Sequence, residues 1–190
     1  MPRAGLDAAT VTGAAAALAD EIGLAQLTMS TVAERLGVKA PSLYKHVHSL
    51  PDLRRRIAIL AATELGDELR EAMQGRAGGD ALDAAARTVR TYVKERPGRY
   101  AATLGVRPTN AADPLAAALD RTLASFAAVL RGYRLEAADE IHALRMLRSI
   151  VHGFATLEAA DDFQLATDID ASFRWMVAFL DRGLRAPEAS

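Results

Sequence analysis

The 190-residue chain is predicted to be all-α, with three short N-terminal helices followed by a longer connecting helix and a C-terminal helical bundle. Three observations carry this prediction. Hydrophobic residues make up 51% of the sequence but aromatics only 5%, and roughly a fifth of the chain is alanine, the strongest helix former. Apolar residues recur at spacings of three and four rather than in alternation. Glycine and proline mark most of the breaks between these periodic runs.

Residues 7–23 form the first predicted helix, because Val11, Ala15, Leu18 and Ile22 recur at helical spacing and Gly23 supplies the stop. An apolar link, Leu24 to Leu27, leads to Thr28. Thr28 is a good N-cap for a second helix of about two turns, in which Val32 and Leu36 share a face and Gly37 marks the end. After a tight connection over 38–40, Pro41 opens a third helix, where its missing N–H costs nothing, and Leu43 and Val47 form a buried i, i+4 pair. Ser49 and Asp52 have capping-box spacing ahead of Leu53, Ile57 and Leu60, so a fourth, long helix covers about 51–73. The Gly75–Gly79 stretch breaks it and is the best candidate hinge between an N-terminal and a C-terminal unit. A helix over 81–96 then stops at Pro97-Gly98, and a short piece covers 100–104. From Leu115 the set Leu119, Leu123, Phe126 and Leu130 fits one helical face ending at Gly132. Residues 137–160 carry the stripe Ile141, Leu144, Leu147, Val151, Phe154 and Leu157. The last helix, about 168–183, carries Ile169, Phe173, Met176, Val177 and Leu180, with Trp175 and Phe179 widening the apolar face.

The absence of cysteine excludes disulfide frameworks, thiolate zinc sites and cysteine nucleophiles. A formal net charge of -1 sets up no global field, so any charged site is local. No apolar run reaches the roughly 20 residues that span a bilayer, and Arg3 followed by Asp7 is not a signal-peptide pattern, so a cytoplasmic protein without membrane attachment is expected. Asp161, Asp162, Asp168 and Asp170 lack the central glycine and terminal glutamate of a calcium loop. His46 and His48 lie on different helix faces and do not share a metal, and no nucleophile with a partnered base is in view. No catalytic residue, metal or cofactor is expected, and the chain is not expected to be an enzyme.

Two short helices joined by a tight turn, with glycine before the turn and small or polar residues opening the second helix, follow the helix-turn-helix plan. The major groove of DNA admits one α-helix, so the second helix must be short, polar at its start and braced from behind. Leu43 and Val47 supply the brace, leaving Lys39, Ala40, Ser42, Lys45 and His46 on other faces, and Tyr44 adds a flat ring beside its hydroxyl. Residues 28–53, TMSTVAERLGVKAPSLYKHVHSLPDL, resemble the helix-turn-helix of the tetracycline-repressor (TetR) family of transcriptional regulators. The match lies in Ala33 and Gly37 of the second helix, Leu43, Tyr44, His46 and Val47 of the recognition helix, and Ser49 to Leu53 after it. The resemblance implies phosphate contacts from Thr28, Ser42, Tyr44 and His46 and base-edge contacts from Lys39, Ala40 and Pro41; Ser30 and Lys45 complete the candidate DNA-binding set. Two positions depart from the family pattern. Leu50 stands where members usually place a lysine, leaving Arg54 or Arg55 as substitutes, and Ala40 stands where some carry a long polar reader, which limits it to apolar contact such as a thymine methyl. Residues 1–56 carry a net charge of about +2 and the remainder about -3, a sign that fits DNA.

Over the rest of the chain, Arg96 to Tyr100, Val151-His152-Gly153 and residues 173–184 look like the subclass named for a Trp-His-Gly signature, with Val151 replacing the tryptophan. The resemblance implies a C-terminal helical domain that binds a small effector and dimerises through its last two long helices. Phe126, Met146, His152, Phe154 and Trp175 are the candidate pocket residues, core or dimer packing being the alternative for the apolar ones, and Phe173, Val177 and Leu180 are the candidate dimer contacts. Gly153, mid-helix, points to a close backbone approach or a pocket wall.

The expected function is a one-component transcriptional regulator, a repressor, that binds a palindromic operator as a homodimer and is released by a small-molecule effector. Residues 1–56 would be the DNA-binding domain and 57–190 the ligand-binding and dimerisation domain, joined by the fourth helix. The alternative is a helical small-molecule-binding or adaptor protein that does not read DNA, motivated by Leu50, Ala40 and the slight basic excess.

Overall fold

The computed structural model describes residues 6–185. Among the described residues the chain forms nine α-helices and one 3-10 turn, with no strand. In order these are α1 (Ala8–Ile22), the 3-10 turn (Leu24–Gln26), α2 (Met29–Arg35), α3 (Ala40–Leu43), α4 (Leu50–Ala72), α5 (Gly78–Glu95), α6 (Pro97–Ala102), α7 (Pro114–Leu130), α8 (Glu140–Ala159) and α9 (Ile169–Arg185).

The helices group into two compact units, one within residues 6–63 and 95–118, the other within 64–94 and 119–185. The division cuts through α4 and α7, so the Gly75–Gly79 stretch, expected as the hinge between units, lies wholly inside the second. Its glycines have a packing role instead. Gly78 and Gly79 open α5 at a crowded point, where a Cβ on Gly132 would meet the Gly78 nitrogen at 2.6 Å and one on Gly79 would meet Asp181 Oδ1 at 2.8 Å.

In the first unit, Asp7 caps α1 by accepting from the Thr10 N–H at 2.7 Å, and Val11, Ala15, Leu18 and Ala19 turn inward. α6 lies against α1 so closely that a Cβ added at Gly98 would sit 2.0 Å from the Ala19 carbonyl oxygen. α6 has no side-chain cap of its own. Asp20 of α1 supplies one from outside, accepting from the Arg99 N–H at 2.8 Å and pairing with Arg99 Nε at 3.0 Å. A second tie runs from α4 to the segment that follows α6. Arg55 is ion-paired with the buried Asp113 and donates to the Arg107 carbonyl at 3.2 Å. Asp113 also accepts from the Thr109 N–H at 2.8 Å, the Thr109 hydroxyl at 2.9 Å and the Leu115 N–H at 2.9 Å. The Thr109 and Leu115 N–H groups, with the Thr109 hydroxyl and Arg55 adding to them, hold its carboxyl well below 3.8, at about 2.

In the second unit, Arg90 of α5 fastens three helices. It pairs with Glu158 of α8 at 2.5 Å and Asp170 of α9 at 2.6 Å, and its guanidinium lies 4.6 Å from the Phe173 ring centroid. The buried line of α8 is Ala143, Leu147, Val151 and Ala155. Ile141 and Leu157, expected on the buried stripe, are exposed. Small alanines at the inward positions let α8 approach its neighbours, which moves the bulkier residues flanking that line outward. On α9 the inward set is Phe173, Met176, Val177, Leu180 and Leu184.

Gly98→Ala is expected to lower the melting temperature by several degrees, since forcing a methyl into a filled site costs roughly 1–3 kcal/mol and each kcal/mol is about 2–4 °C in a chain this size. Gly153→Ala, whose Cβ would meet nothing within 4 Å, is the control and should leave the melting temperature unchanged or raise it. Equal melting temperatures for Gly98→Ala and the parent would show that α1 and α6 do not meet there. For Asp113 the folded carboxyl titrates lower than the unfolded one, so its stabilisation is complete above the unfolded value of about 3.8 and is lost as pH falls towards about 2. Asp113→Asn should therefore flatten the dependence of stability on pH across that window in acid-denaturation curves.

Candidate nucleic-acid interface

Thr28 takes the N-cap position of α2 in extended conformation and accepts from the Thr31 N–H at 3.1 Å, while Thr31 Oγ1 accepts from the Thr28 N–H at 3.0 Å. This is a capping box with threonine in the place of the usual Glu or Gln. At the other end Gly37 adopts φ +65°, its N–H donates to the Glu34 carbonyl at 3.0 Å and the Val38 N–H reaches the Ala33 carbonyl at 3.0 Å. These are the two bonds of a Schellman ending, and the left-handed residue it needs explains the glycine.

α3 follows at once and is only four residues long, with Lys39 at its N-cap and Pro41 in its first turn. The Val47 N–H still bonds to the Leu43 carbonyl at 3.0 Å, so one more turn extends the same face. Leu43 and Val47 are both 0% exposed, which fixes the rotation of this element about its axis. Lys39, Pro41, Tyr44 and Lys45 are exposed, Tyr44 at 53%, and Ala40, Ser42 and His46 are half-buried. Thr28 and Ser30 are exposed on α2. The nine candidate residues thus lie in two neighbouring short helices and their flanks, and none of them is buried.

The start of α4 is capped by Ser49, whose Oγ accepts from the Asp52 N–H at 3.1 Å, and Asp52 in turn accepts from the His48 N–H at 2.9 Å and Arg56 Nε at 3.1 Å. Partial burial pushes the Asp52 carboxyl up, but the His48 N–H and the Arg56 guanidinium outweigh it, so its pKa is lowered. All three arginines of this turn have intrachain partners. Arg54 donates to the Leu24 and Leu27 carbonyls at 3.2 and 3.4 Å, Arg55 holds Asp113, and Arg56 pairs with Asp52. Arg54 and Arg55 are therefore engaged inside the unit rather than held out in place of the lysine that Leu50 replaces. Arg35 is likewise paired, with Glu21. Lys39 and Lys45 are the exposed cations of this face that stand, among the described residues, in no ion pair.

The candidates in the second unit are dispersed. Phe126 is buried; Phe154 packs with Phe163 and Phe173 at centroid distances of 4.9 and 5.3 Å; His152 is half-buried, and burial, with Arg148, lowers its pKa. Met146 and Trp175 are exposed, and Trp175 stacks on Phe179 at 5.4 Å. Cavities of about 420 and 250 Å³ in this unit have other linings. Phe173, Val177 and Leu180, the candidate dimer contacts, are buried in the unit's own core, and the large apolar groups that α9 leaves exposed are Trp175 and Phe179, at 65% and 55% exposure. At about 100° per residue these two lie across the helix from the buried set, and that angular separation was the readable signal.

A short helix braced from behind, its polar residues outward and a helical bundle in the same chain, defines the class of helix-turn-helix regulators. Residues 4–48 match the family described as "Bacterial regulatory proteins, tetR family", and residues 82–180 match "Tetracyclin repressor-like, C-terminal domain". The chain is 30% identical over 187 residues to an uncharacterised HTH-type transcriptional regulator, YobS, of Bacillus subtilis (strain 168), covering 96% of this chain and 95% of that one. It is 37% identical over 169 residues to an uncharacterised HTH-type transcriptional regulator of Mycobacterium tuberculosis, covering 87% and 75%. The protein belongs to the tetR family of bacterial transcriptional regulators. Among solved structures, a TetR variant from Acinetobacter baumannii AYE in complex with minocycline superposes with a TM-score of 0.70 at 27% identity, covering 96% of this chain and all (100%) of that one. BioQ bound to its natural double-stranded DNA operator superposes with a TM-score of 0.69 at 21% identity, covering 96% and 100%, a likeness of fold. Among the described residues no helix is long and apolar enough to cross a membrane.

Proposed function

We propose that this regulator is a cytoplasmic repressor that binds a palindromic operator as a homodimer and is released by a small-molecule effector. The observation that carries the DNA-reading part is the outward set on α3, held in rotation by the fully buried Leu43 and Val47. In this reading residues 1–56 read DNA and 57–190 bind effector and dimerise. Lys39, Ala40 and Pro41 meet base edges, while Thr28, Ser30, Ser42, Tyr44, Lys45 and His46 meet the backbone. Thr28 would do so while its hydroxyl also closes the α2 capping box. Arg96 to Tyr100 and Val151-His152-Gly153 support assignment of residues 57–190 to the Trp-His-Gly subclass, with Phe126, His152 and Phe154 the effector contacts. The partner copy covers the exposed Trp175 and Phe179 of α9 with Met146 of α8, and Phe173, Val177 and Leu180 support that face from beneath.

The DNA reading is tested by fluorescence anisotropy on the duplex upstream of the protein's own gene. Lys39→Ala and Tyr44→Ala should each weaken binding roughly tenfold or more, and Lys45→Ala should weaken it similarly across sequences while reducing the salt slope by about 1 per protomer. Binding that ignores all three substitutions, with a salt slope near zero, would favour a helical adaptor instead. The dimer is tested by light scattering at micromolar concentration. The double variant Trp175→Ser, Phe179→Ser should be monomeric with unchanged far-UV circular dichroism, and a dimer of undiminished affinity would remove α9 from the interface.

A further inference from the structure

A groove of about 420 Å³ lies where the chain passes from α8 into α9, and none of the DNA-binding or dimer residues lines it. Its apolar lining is Phe163, Leu165 and Ile169, and its polar lining is Asp162, Gln164, Thr167 and Ser172. The volume falls in the range of small-ligand sites, roughly 300–1,000 Å³, and the mixture of an apolar floor with a few polar groups is their usual composition. The floor is braced, because the Phe163 ring packs on Phe154, which packs in turn on Phe173. Leu165, by contrast, is 83% exposed, the highest value among the large apolar residues left uncovered. An exposed leucine lining the same groove gains from an apolar body that covers it.

The charge around the groove selects that body. Among the described residues no cationic side chain lines it, and Arg90 is paired with Glu158 and Asp170, Lys94 with Glu158, and Arg174 with Asp168. Asp162 lines it, with Asp161 next in sequence, both exposed. At the amide end of α9 the Asp170 N–H is bonded to Asp168 Oδ1 at 2.9 Å, which places a carboxylate rather than an open amide at that position. We propose that this groove is a binding site for an amphipathic monocation, an ammonium carrying an alkyl or aryl body, with Phe163, Leu165 and Ile169 against the body and Asp162 facing the charge. The proposal does not depend on DNA reading and is tested without DNA.

Calorimetric titration of the full chain with dodecyltrimethylammonium, below its micelle concentration, is compared with dodecanoate under the same conditions. Trp175, the chain's one tryptophan, lies one turn from Ser172 and gives a fluorescence readout. The cation should bind saturably and the carboxylate should not. Leu165→Ser, at a position too exposed to affect folding, should weaken the cation roughly tenfold through lost apolar contact, and Asp162→Asn should weaken it roughly two- to fivefold, the scale of an exposed charge pair. Absence of saturable binding overturns the assignment, as does equal binding of the carboxylate, or cation binding that both substitutions leave unchanged. A Leu165→Ser variant that binds the cation normally but shifts the monomer–dimer balance would show that a second copy covers the groove, which also overturns it.

Discussion

A helix of four residues cannot hold itself. Helix nucleation is costly and isolated segments much shorter than about 12 residues do not persist in water, so α3 exists because Leu43 and Val47 are completely buried beneath it. Everything polar about the recognition face follows from that anchorage. With the two apolar side chains fixed at i and i+4, the remaining positions of the turn have no freedom of azimuth, and Lys39, Tyr44 and Lys45 stand outward. The Schellman ending at Gly37 fixes where α2 stops, and the proline in the first turn of α3 fixes the backbone where the next element begins. A polar surface is thereby set by apolar contacts on its far side.

The same unit extends beyond the helix-turn-helix. α6 and the segment to residue 118 belong to it, although about thirty residues of the other unit intervene in sequence. Three features hold them there: a glycine approach at Gly98 that leaves no room for a side chain, the Asp20–Arg99 cap, and the Arg55–Asp113 pair. Each uses chemistry that resists sliding. A backbone contact with no intervening side chain has no rotamer to yield, and a carboxylate accepting from several donors at once loses them together or not at all. α6 is thus joined to α1, and the segment after it to α4, at separate points.

Much of this was legible in sequence where the rule is local. The Thr28 cap, the Gly23 and Gly37 stops, the Leu43–Val47 pair and the Ser49–Asp52 cap each depend on residues within a turn of one another, and each forms. What could not be read depends on partners far away in the chain. Arg54 and Arg55 looked available because their acceptors, at Leu24, Leu27 and Asp113, lie about thirty to sixty residues off. The Gly75–Gly79 stretch looked like a hinge because nothing nearby shows that Gly132 and Asp181 crowd against it. On α8 the large apolar residues suggested the buried line, but helix approach favours alanine there, so Ala143 and Ala155 are inside while Ile141 and Leu157 are out. Hydrophobic periodicity identifies a helix more reliably than it identifies which of two apolar faces is the inner one.

The electrostatics of the recognition face follow from these distant pairings. Of the cations in the helix-turn-helix and the first turns of α4, Arg35, Arg55 and Arg56 face carboxylates and Arg54 faces carbonyls. These guanidiniums are engaged within the chain, which leaves Lys39 and Lys45 as exposed cations in no ion pair among the described residues. Sequence-independent affinity scales with the number of phosphates neutralised, so a face with so few uncompensated cations gains less from the phosphate backbone. The other candidate residues of the face are neutral: the Tyr44 hydroxyl and Ser42 as hydrogen-bonding groups, and Ala40 and Pro41 as apolar surface. With two copies of such a face, a duplex that matches both would be favoured over one that is merely negative, and the near-neutral net charge of the chain is consistent with that preference.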